Sequence, residues 1–225
     1  MLELIDISVG NILIGLSMVI RRGEYVLITG ENGAGKTTLF NTISGIIKPD
    51  SGRLMLNDRD ITNLPPYKRA VWISSVLQDP RVGTIGEMTI AENLYLASMR
   101  RKSPGQNKCM KKSIAFFKEK LKVLEMNLEN RLDEKVRNLS GGQRQALSLV
   151  MATIADYELL LLDEITASLD PKNSKTIMNL VDKIVRDKGK TCLVITHDTD
   201  CIEAFRGSRL ILSNGKVAKS TNMNS

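Results

Sequence analysis

The sequence predicts an α/β fold with a mainly parallel sheet covered on both faces, and three observations carry that expectation. Short apolar strand-like runs alternate with helix-like stretches along much of the 225 residues. A glycine-rich loop joins one buried strand directly to a helix. A second strand–helix cycle then follows a long helical insertion. With 42% hydrophobic and 25% charged residues, the chain can form one domain with a sizeable core, or one core plus a small lobe. Disordered, collagenous and coiled-coil classes are excluded.

Apolar pieces at Leu2–Ile7, Ile12–Leu16, Met18–Ile20 and Tyr25–Thr29, divided by turn signals at Gly10-Asn11 and Arg22-Gly23, predict strands. The last, YVLIT, has the β-branched and aromatic content of a buried strand and runs into GENGAGKTT, which opens a helix over Thr37–Ile47. Lys48-Pro49-Asp50-Ser51-Gly52 reads as a turn, with strands at Arg53–Leu56 and Val71–Val76 beyond it. From Thr89 to Glu129 the pattern is helical. Ile90, Asn93, Leu94 and Ala97 share one face, and Ile114, Phe117, Leu121 and Leu124 another. The second cycle comprises a helix from Ser140, a strand at Leu159–Leu162, a helix after Pro171, a strand at Cys192–Thr196 and a hairpin turning at Asn214-Gly215.

Gly30, Gly35, Lys36 and Thr37 satisfy G-x-x-x-x-G-K-S/T within the loop Gly30, Glu31, Asn32, Gly33, Ala34, Gly35, Lys36, Thr37 and Thr38. Glycines let the backbone wrap so that successive N–H groups point inward, and the helix behind adds unpaired donors and its positive dipole end. Lys36 brings a compact charge for β- and γ-phosphates, and the Thr37 hydroxyl is a hard oxygen ligand suited to Mg²⁺. At average composition this pattern arises by chance in roughly 1% of chains this long. The run Leu159–Leu162 ends in Asp163 and Glu164. At a period of two, adjacent side chains point apart, so one acid can reach a metal and the other a water. Taken alone, the pair is equally readable as an ordinary strand cap. Leu139-Ser140-Gly141-Gly142-Gln143 precedes a helix, with Ser140 a natural N-cap and two glycines clearing the approach, which makes a second anion-binding helix end.

In these residues the chain resembles the ABC ATPases, the nucleotide-binding subunits of ATP-binding-cassette transporters. The resemblance spans nearly the full length and rests on GENGAGKTT, Gln78, LSGGQ, LLLLDE, Ser168-Leu169-Asp170 and His197, in family order and spacing. It implies a P-loop ATPase core with an N-terminal antiparallel β-subdomain and an inserted helical subdomain at about residues 85–150, within a single domain over residues 1–225. It implies ATP and Mg²⁺ as cofactors, with Thr37, Gln78 and Asp163 around the metal. Gln78 also senses the attacking water, Glu164 polarises that water as general base, and His197 contacts the γ-phosphate. It further implies a head-to-tail dimer of ATPase subunits when ATP is bound. There Ser140, Gly141, Gly142 and Gln143 of one copy close over ATP held by the other, and Asp170 lies in the D-loop.

Such ATPases do no transport alone, so the resemblance implies separate integral-membrane permease subunits and a solute-binding protein. QDPRVGTIGEMTIAENL and RQALSLVMATIAD look like a bacterial subgroup of importers that pair with branched-chain-amino-acid-type permeases. The permease contact is expected over Asp79–Met99. The alternative is a soluble ABC ATPase such as an iron–sulfur cluster assembly ATPase, which the length of the chain leaves open. Two departures from the family stand out. Ile165 replaces the usual proline, and no aromatic lies between Ser8 and Ile12 to stack on adenine, so weak selectivity for ATP over GTP is expected.

The charge balance bears on partners. Lys and Arg number 32 against 25 acids, a formal +7. Nucleic acid is not expected, because aromatics make up 4% of the chain and none interleave with the basic residues. Between Arg100 and Lys122 basic residues face the single acid Glu119, which fits a surface near anionic lipid, an acidic permease loop, or a solvated helix face. Cys109, Cys192 and Cys201 lack C-x-x-C spacing and read as reduced bystanders. No apolar run approaches the roughly 18 to 20 residues needed to cross a bilayer, and acids occupy the place of a signal peptide's basic region. A cytoplasmic protein, peripheral on the inner face of the cell membrane, is expected.

Overall fold

The computed structural model describes residues 1–99, 110–167, 169, 171–197, 202 and 207–221. In chain order the elements are β1 (Leu2–Val9), β2 (Leu13–Ile20), β3 (Tyr25–Thr29), α1 (Lys36–Ser44), β4 (Ser51–Leu56), β5 (Arg59–Asp60), α2 (Pro66–Arg69) and β6 (Ile73–Val76). There follow α3 (Ile90–Ser98), α4 (Met110–Lys122), α5 (Gly141–Ile154), β7 (Leu159–Asp163), α6 (Pro171–Lys188), β8 (Thr191–Ile195), β9 (Ser208–Ser213) and β10 (Lys216–Thr221). Short 3-10 turns at Leu128–Asn130 and Val136–Asn138 lead from α4 to α5.

The strands form two sheets, as the α/β expectation requires. The smaller is antiparallel in the order β2-β1-β4-β5. The larger runs β10-β9-β3-β8-β7-β6, parallel throughout except for the closing hairpin β9–β10. That hairpin turns at Asn214 (φ 47°) and Gly215 (φ 71°), the positive pair that a tight hairpin turn demands.

The apolar strands of the larger sheet serve both its faces. Leu159, Leu161, Leu193, Ile195, Val26 and Ile28 join Leu39, Phe40 and Ile43 of α1 and the antiparallel sheet in one core. Their alternates Leu160, Leu162, Cys192, Val194 and Leu27 join α3, α4, α5 and α6 in the other. Period-two alternation therefore explains why LLLL carries no polar residue: each face meets a helical or sheet layer. Fully burying each such side chain contributes roughly 2 kcal/mol.

Several boundaries differ from expectation. The pieces Ile12–Leu16 and Met18–Ile20 are one strand, β2, because pairing with β1 runs from Val9↔Leu13 to Leu2↔Ile20, through register shifts. α1 stops at Ser44 rather than Ile47, since Gly45 takes φ 87° and its N–H bonds back to Thr42 O. The helical stretch from Thr89 is broken into α3 and α4, with part of the connection outside the described residues. Phe117, Leu121 and Leu124 are buried as the periodicity requires. Lys118 and Lys122 lie exposed on α4, whereas Arg100, Arg101, Lys102 and Lys108 lie outside the described residues. Cys192 is buried and free, and burial pushes its thiol pKa up; Cys109 and Cys201 are outside the described residues. Among the described residues, no helix is long and apolar enough to cross a membrane.

Candidate functional site

Four parallel strands deliver the site, because each loop leaving β3, β6, β7 and β8 emerges at the same carboxyl edge of the sheet. After β3 the chain wraps through Gly30–Gly35 into α1. A Cβ at Gly30 would come within 2.2 Å of Leu212 O, and one at Gly35 (φ 97°) within 2.8 Å of the Leu13 side chain. Only glycine allows the loop to press so closely against β9 and β2. α1 begins with no side-chain cap and no acid in its first turn, so its free N–H donors and positive end face the loop uncompensated.

Lys36 folds back across this loop. It is 6% exposed, and its Nζ donates to Gly30 O at 2.8 Å and Glu31 O at 2.9 Å. Burial lowers its pKa, while the charges of Glu164 and Asp163 pull it up. Glu31, Asn32, Gly33 and Thr37 are exposed on the rim, Thr38 is half-buried, and Ala34 and Gly35 are buried beneath.

The carboxylates part company as expected, but for a different reason. Asp163 ends β7 and is 9% exposed. Glu164 has left the strand in the left-handed region (φ 47°), with its N–H bonded to Ile195 O at 2.9 Å. A turn, rather than the strand pleat, aims the second acid. Burial first, then the charge of Glu164, pushes the Asp163 pKa from 3.8 to about 6, and Lys36 and His197 oppose that shift. Gln78 Nε2 donates to Glu164 Oε2 at 3.2 Å, and His197 Nε2 lies 3.2 Å from Glu164 Oε1. Three residues far apart in sequence thus meet on one carboxylate beside the lysine.

Thr37, Gln78 and Asp163 offer a hydroxyl, an amide and a carboxylate, the hard oxygens that Mg²⁺ prefers. Among the described residues no cluster of three His, Cys, Asp or Glu is poised for a metal, so an ion here would rest on this mixed set and on phosphate oxygens. The set fits such an ion, since the buried Asp163 lacks full charge compensation.

The second helix end is built otherwise. Ser140 Oγ accepts from Gln143 N at 3.3 Å and Gln143 Oε1 accepts from Ser140 N at 3.2 Å, a reciprocal cap on α5. Ser140 and Gly141 are exposed, and Gly142 sits under the side chains of Leu169 and Asn173. The structure does not bring this end to Lys36 within one chain by any hydrogen bond or ion pair among the described residues. Asp170 and Ser168 lie outside the described residues.

Two supporting residues escaped sequence reasoning. Gln145, buried on α5, donates from Nε2 to Leu77 O at 3.3 Å and steadies the segment before Gln78. Arg69 is buried against the far end of α1. Gln145 falls within the stretch RQALSLVMATIAD but was given no role there, and Arg69 lies in no motif.

With this geometry in place, the similar proteins fall into one group. A sequence model of the ABC transporter family matches residues 13–167. A tyrosine transport ATP-binding protein of Clostridioides difficile is 45% identical over 202 residues, covering 90% of this chain and 80% of that protein. The thiamine import ATP-binding protein ThiQ of Escherichia coli is 31% identical over 221 residues, covering 97% and 90%. Among solved structures, the dimeric post-hydrolysis state of the ATP-binding cassette MJ0796 bound to ADP and phosphate superposes with a TM-score of 0.85 at 26% identity, over the whole of both chains. The iron–sulfur assembly alternative receives no support from these relatives.

Proposed function

We infer, because this chain belongs to the ABC transporter family of ATP-binding subunits, that residues 1–225 work as one ATPase domain whose loop Gly30–Thr38 cradles the triphosphate. Family membership makes the chain an ATP-binding, ATP-hydrolysing subunit that works with membrane permease subunits and dimerises. The observation that carries the assignment of residues is the meeting of Gln78 and His197 on Glu164 beside the buried Lys36.

Lys36 and the free N–H groups of α1 bind the β- and γ-phosphates. Glu164 accepts a proton from the attacking water, while Gln78 and His197 hold its carboxylate in place. Mg²⁺, held by Thr37, Gln78 and Asp163, would neutralise charge on the phosphate oxygens. Ser140–Gln143 of a second copy, with Asp170, would close the site from the opposite side. The helical subdomain, about 85–150, would carry that surface.

The permease would dock over Asp79–Met99. Val82 (70% exposed), Ile85 and Leu96 present apolar surface there, above a cavity of about 150 Å³ lined by Leu77, Pro80, Gly83, Ala97 and Met151. Docked there, the subunit would lie on the inner face of the cell membrane. Import fits the thiamine relative, an amino acid is the cargo class that the tyrosine relative supports, and a separate solute-binding protein would deliver it.

The test is Glu164→Gln. Phosphate release is expected to fall by 10² to 10⁴-fold with ATP binding retained. Pulled from detergent-solubilised membranes with ATP, this variant should bring down a multi-spanning protein. Recovery of a soluble partner alone would overturn the transporter reading.

A further inference from the structure

Arg69 closes α2, outside every motif above, yet it is 1% exposed. Its guanidinium donates to four main-chain carbonyls: Nη1 to Thr42 O at 2.6 Å and Ile43 O at 2.8 Å, Nη2 to Thr62 O at 2.9 Å, and Nε to Leu64 O at 2.8 Å. Burial lowers its pKa, and Asp60 opposes this only through longer-range attraction. An arginine so placed stays charged, and its planar fork suits several carbonyls at once where a lysine would reach fewer.

Thr42 and Ile43 belong to the last turn of α1, which carries no basic residue of its own. Arg69 supplies from outside the cation that a helix C-terminus favours. Gly45 keeps the way open, since a Cβ there would come 2.8 Å from Arg69 Nε. α1 is only nine residues long, so its two ends move as one rigid piece: the phosphate cradle at the front, the guanidinium at the back.

The other side of Arg69 leads to the amino ends of β6 and β7, whose far ends deliver the catalytic edge. Its carbonyl accepts from Trp72 N at 2.9 Å, and Trp72 O accepts from Glu158 N at 2.8 Å and Leu159 N at 3.1 Å. Trp72 directly precedes β6, whose continuation carries Gln78, and Leu159 opens β7, which delivers Asp163 and Glu164. Arg69 therefore holds the end of the cradle helix with its side chain and the start of the strands that bear the water-facing residues with its main chain.

We propose that Arg69 is a positioning residue that fixes the cradle helix to the β6 strand, so that nucleotide bound at Gly30–Thr38 is registered at Trp72 and Gln78. This rests on the reading of that loop as the nucleotide site.

Trp72 is the single tryptophan of the chain, so emission excited selectively over the four tyrosines reports on this junction. The full chain, as wild type, Arg69→Met and Arg69→Lys, would be titrated with ADP and Mg²⁺ by calorimetry and by Trp72 emission, and assayed for ATP turnover. Arg69→Met should keep one site per chain, lose most of the Trp72 response per bound nucleotide, and lower kcat/KM about ten- to a hundred-fold. Arg69→Lys should restore part of both. Fewer sites with unchanged affinity and a full Trp72 response in the bound fraction would mean a merely structural arginine and overturn the proposal. So would a wild type that binds ADP with no change in emission. If Arg69→Met does not fold, Gly45→Ala, which crowds the guanidinium, replaces it: a smaller loss of Trp72 response is expected, and an unchanged response overturns the proposal. A wild type that binds no nucleotide would instead sink the cradle reading itself.

Discussion

The two glycine-bearing helix ends, at α1 and α5, look alike in sequence and differ in how their donors are satisfied. α5 is closed by its own side chains, Ser140 and Gln143, and stands exposed. α1 has no side-chain cap, its loop lies against β2 and β9, and it is crossed by a lysine that, among the described residues, bonds to loop carbonyls. The first arrangement is complete without a ligand and offers a surface. The second leaves helix N–H donors without a side-chain cap, an arrangement suited to an anion. Such a contrast suits a site made by two chains, in which one end binds and the other covers.

The largest effect should separate the two ends outright. Lys36→Ala is expected to weaken ATP binding a hundred- to a thousand-fold, because a buried charge-assisted contact to phosphate is lost. Calorimetry on the single chain would measure it, and a loss below three-fold would erase the distinction. A Ser140 variant should bind ATP as wild type does. Mixing the two variants should recover turnover that neither shows alone, since each mixed pair keeps one intact composite site.

Electrostatic strain should also belong to the α1 end only. The Asp163 pKa is raised from 3.8 to about 6, so the folded state holds this proton more tightly than the unfolded chain. Stability of the nucleotide-free protein is then higher below pH 4 for this group's part. It declines as pH rises to 6 and stays roughly 3 kcal/mol lower above that. Asp163→Asn should remove the decline. Urea unfolding of wild type and variant at several pH values would show it as a gap that widens with pH and then levels.

Ser140→Ala should cost about 1 kcal/mol through the lost cap on α5, read as a lowered midpoint in denaturant. The smallest effect concerns the base. The Ile12 Cγ2 atom lies 3.3 Å from where a Gly35 Cβ would stand, and Ile12 is 47% exposed at the mouth of the cradle. Ile12→Tyr should add a stacking face worth about 1 kcal/mol and raise the preference for ATP over GTP several-fold in parallel turnover assays. A strong ATP preference already present in the wild type would show that the base is recognised without an aromatic.

Much of the fold was legible from pattern. YVLIT, LLLL and the Cys192–Thr196 run were readable as buried strands because apolar runs bounded by turn signals have few other uses in a chain of this class. The cap at Ser140 and the hairpin at Asn214-Gly215 were readable because they depend on backbone angles and hydrogen bonds within a few residues. α2 and β5 were not, since four and two residues carry no period. The helix at Thr89 began where a capping box with Glu92 sits, a signal present in T-x-x-E but weaker than the apolar period around it.

Local sequence was enough to single out the loop proposed to hold phosphate, whose glycines, lysine and threonine lie within a few residues of one another. Long-range pairing decided everything that surrounds it. That Gln78 and His197 both meet Glu164 follows from the strand order β3-β8-β7-β6, which places three distant loops at one edge. That Arg69 faces Thr42 and Ile43 follows from how α2 is folded under α1. Neither can be seen in a local pattern. A motif specifies its own backbone angles and donors, whereas sheet order is chosen by the burial of both faces of the whole sheet at once.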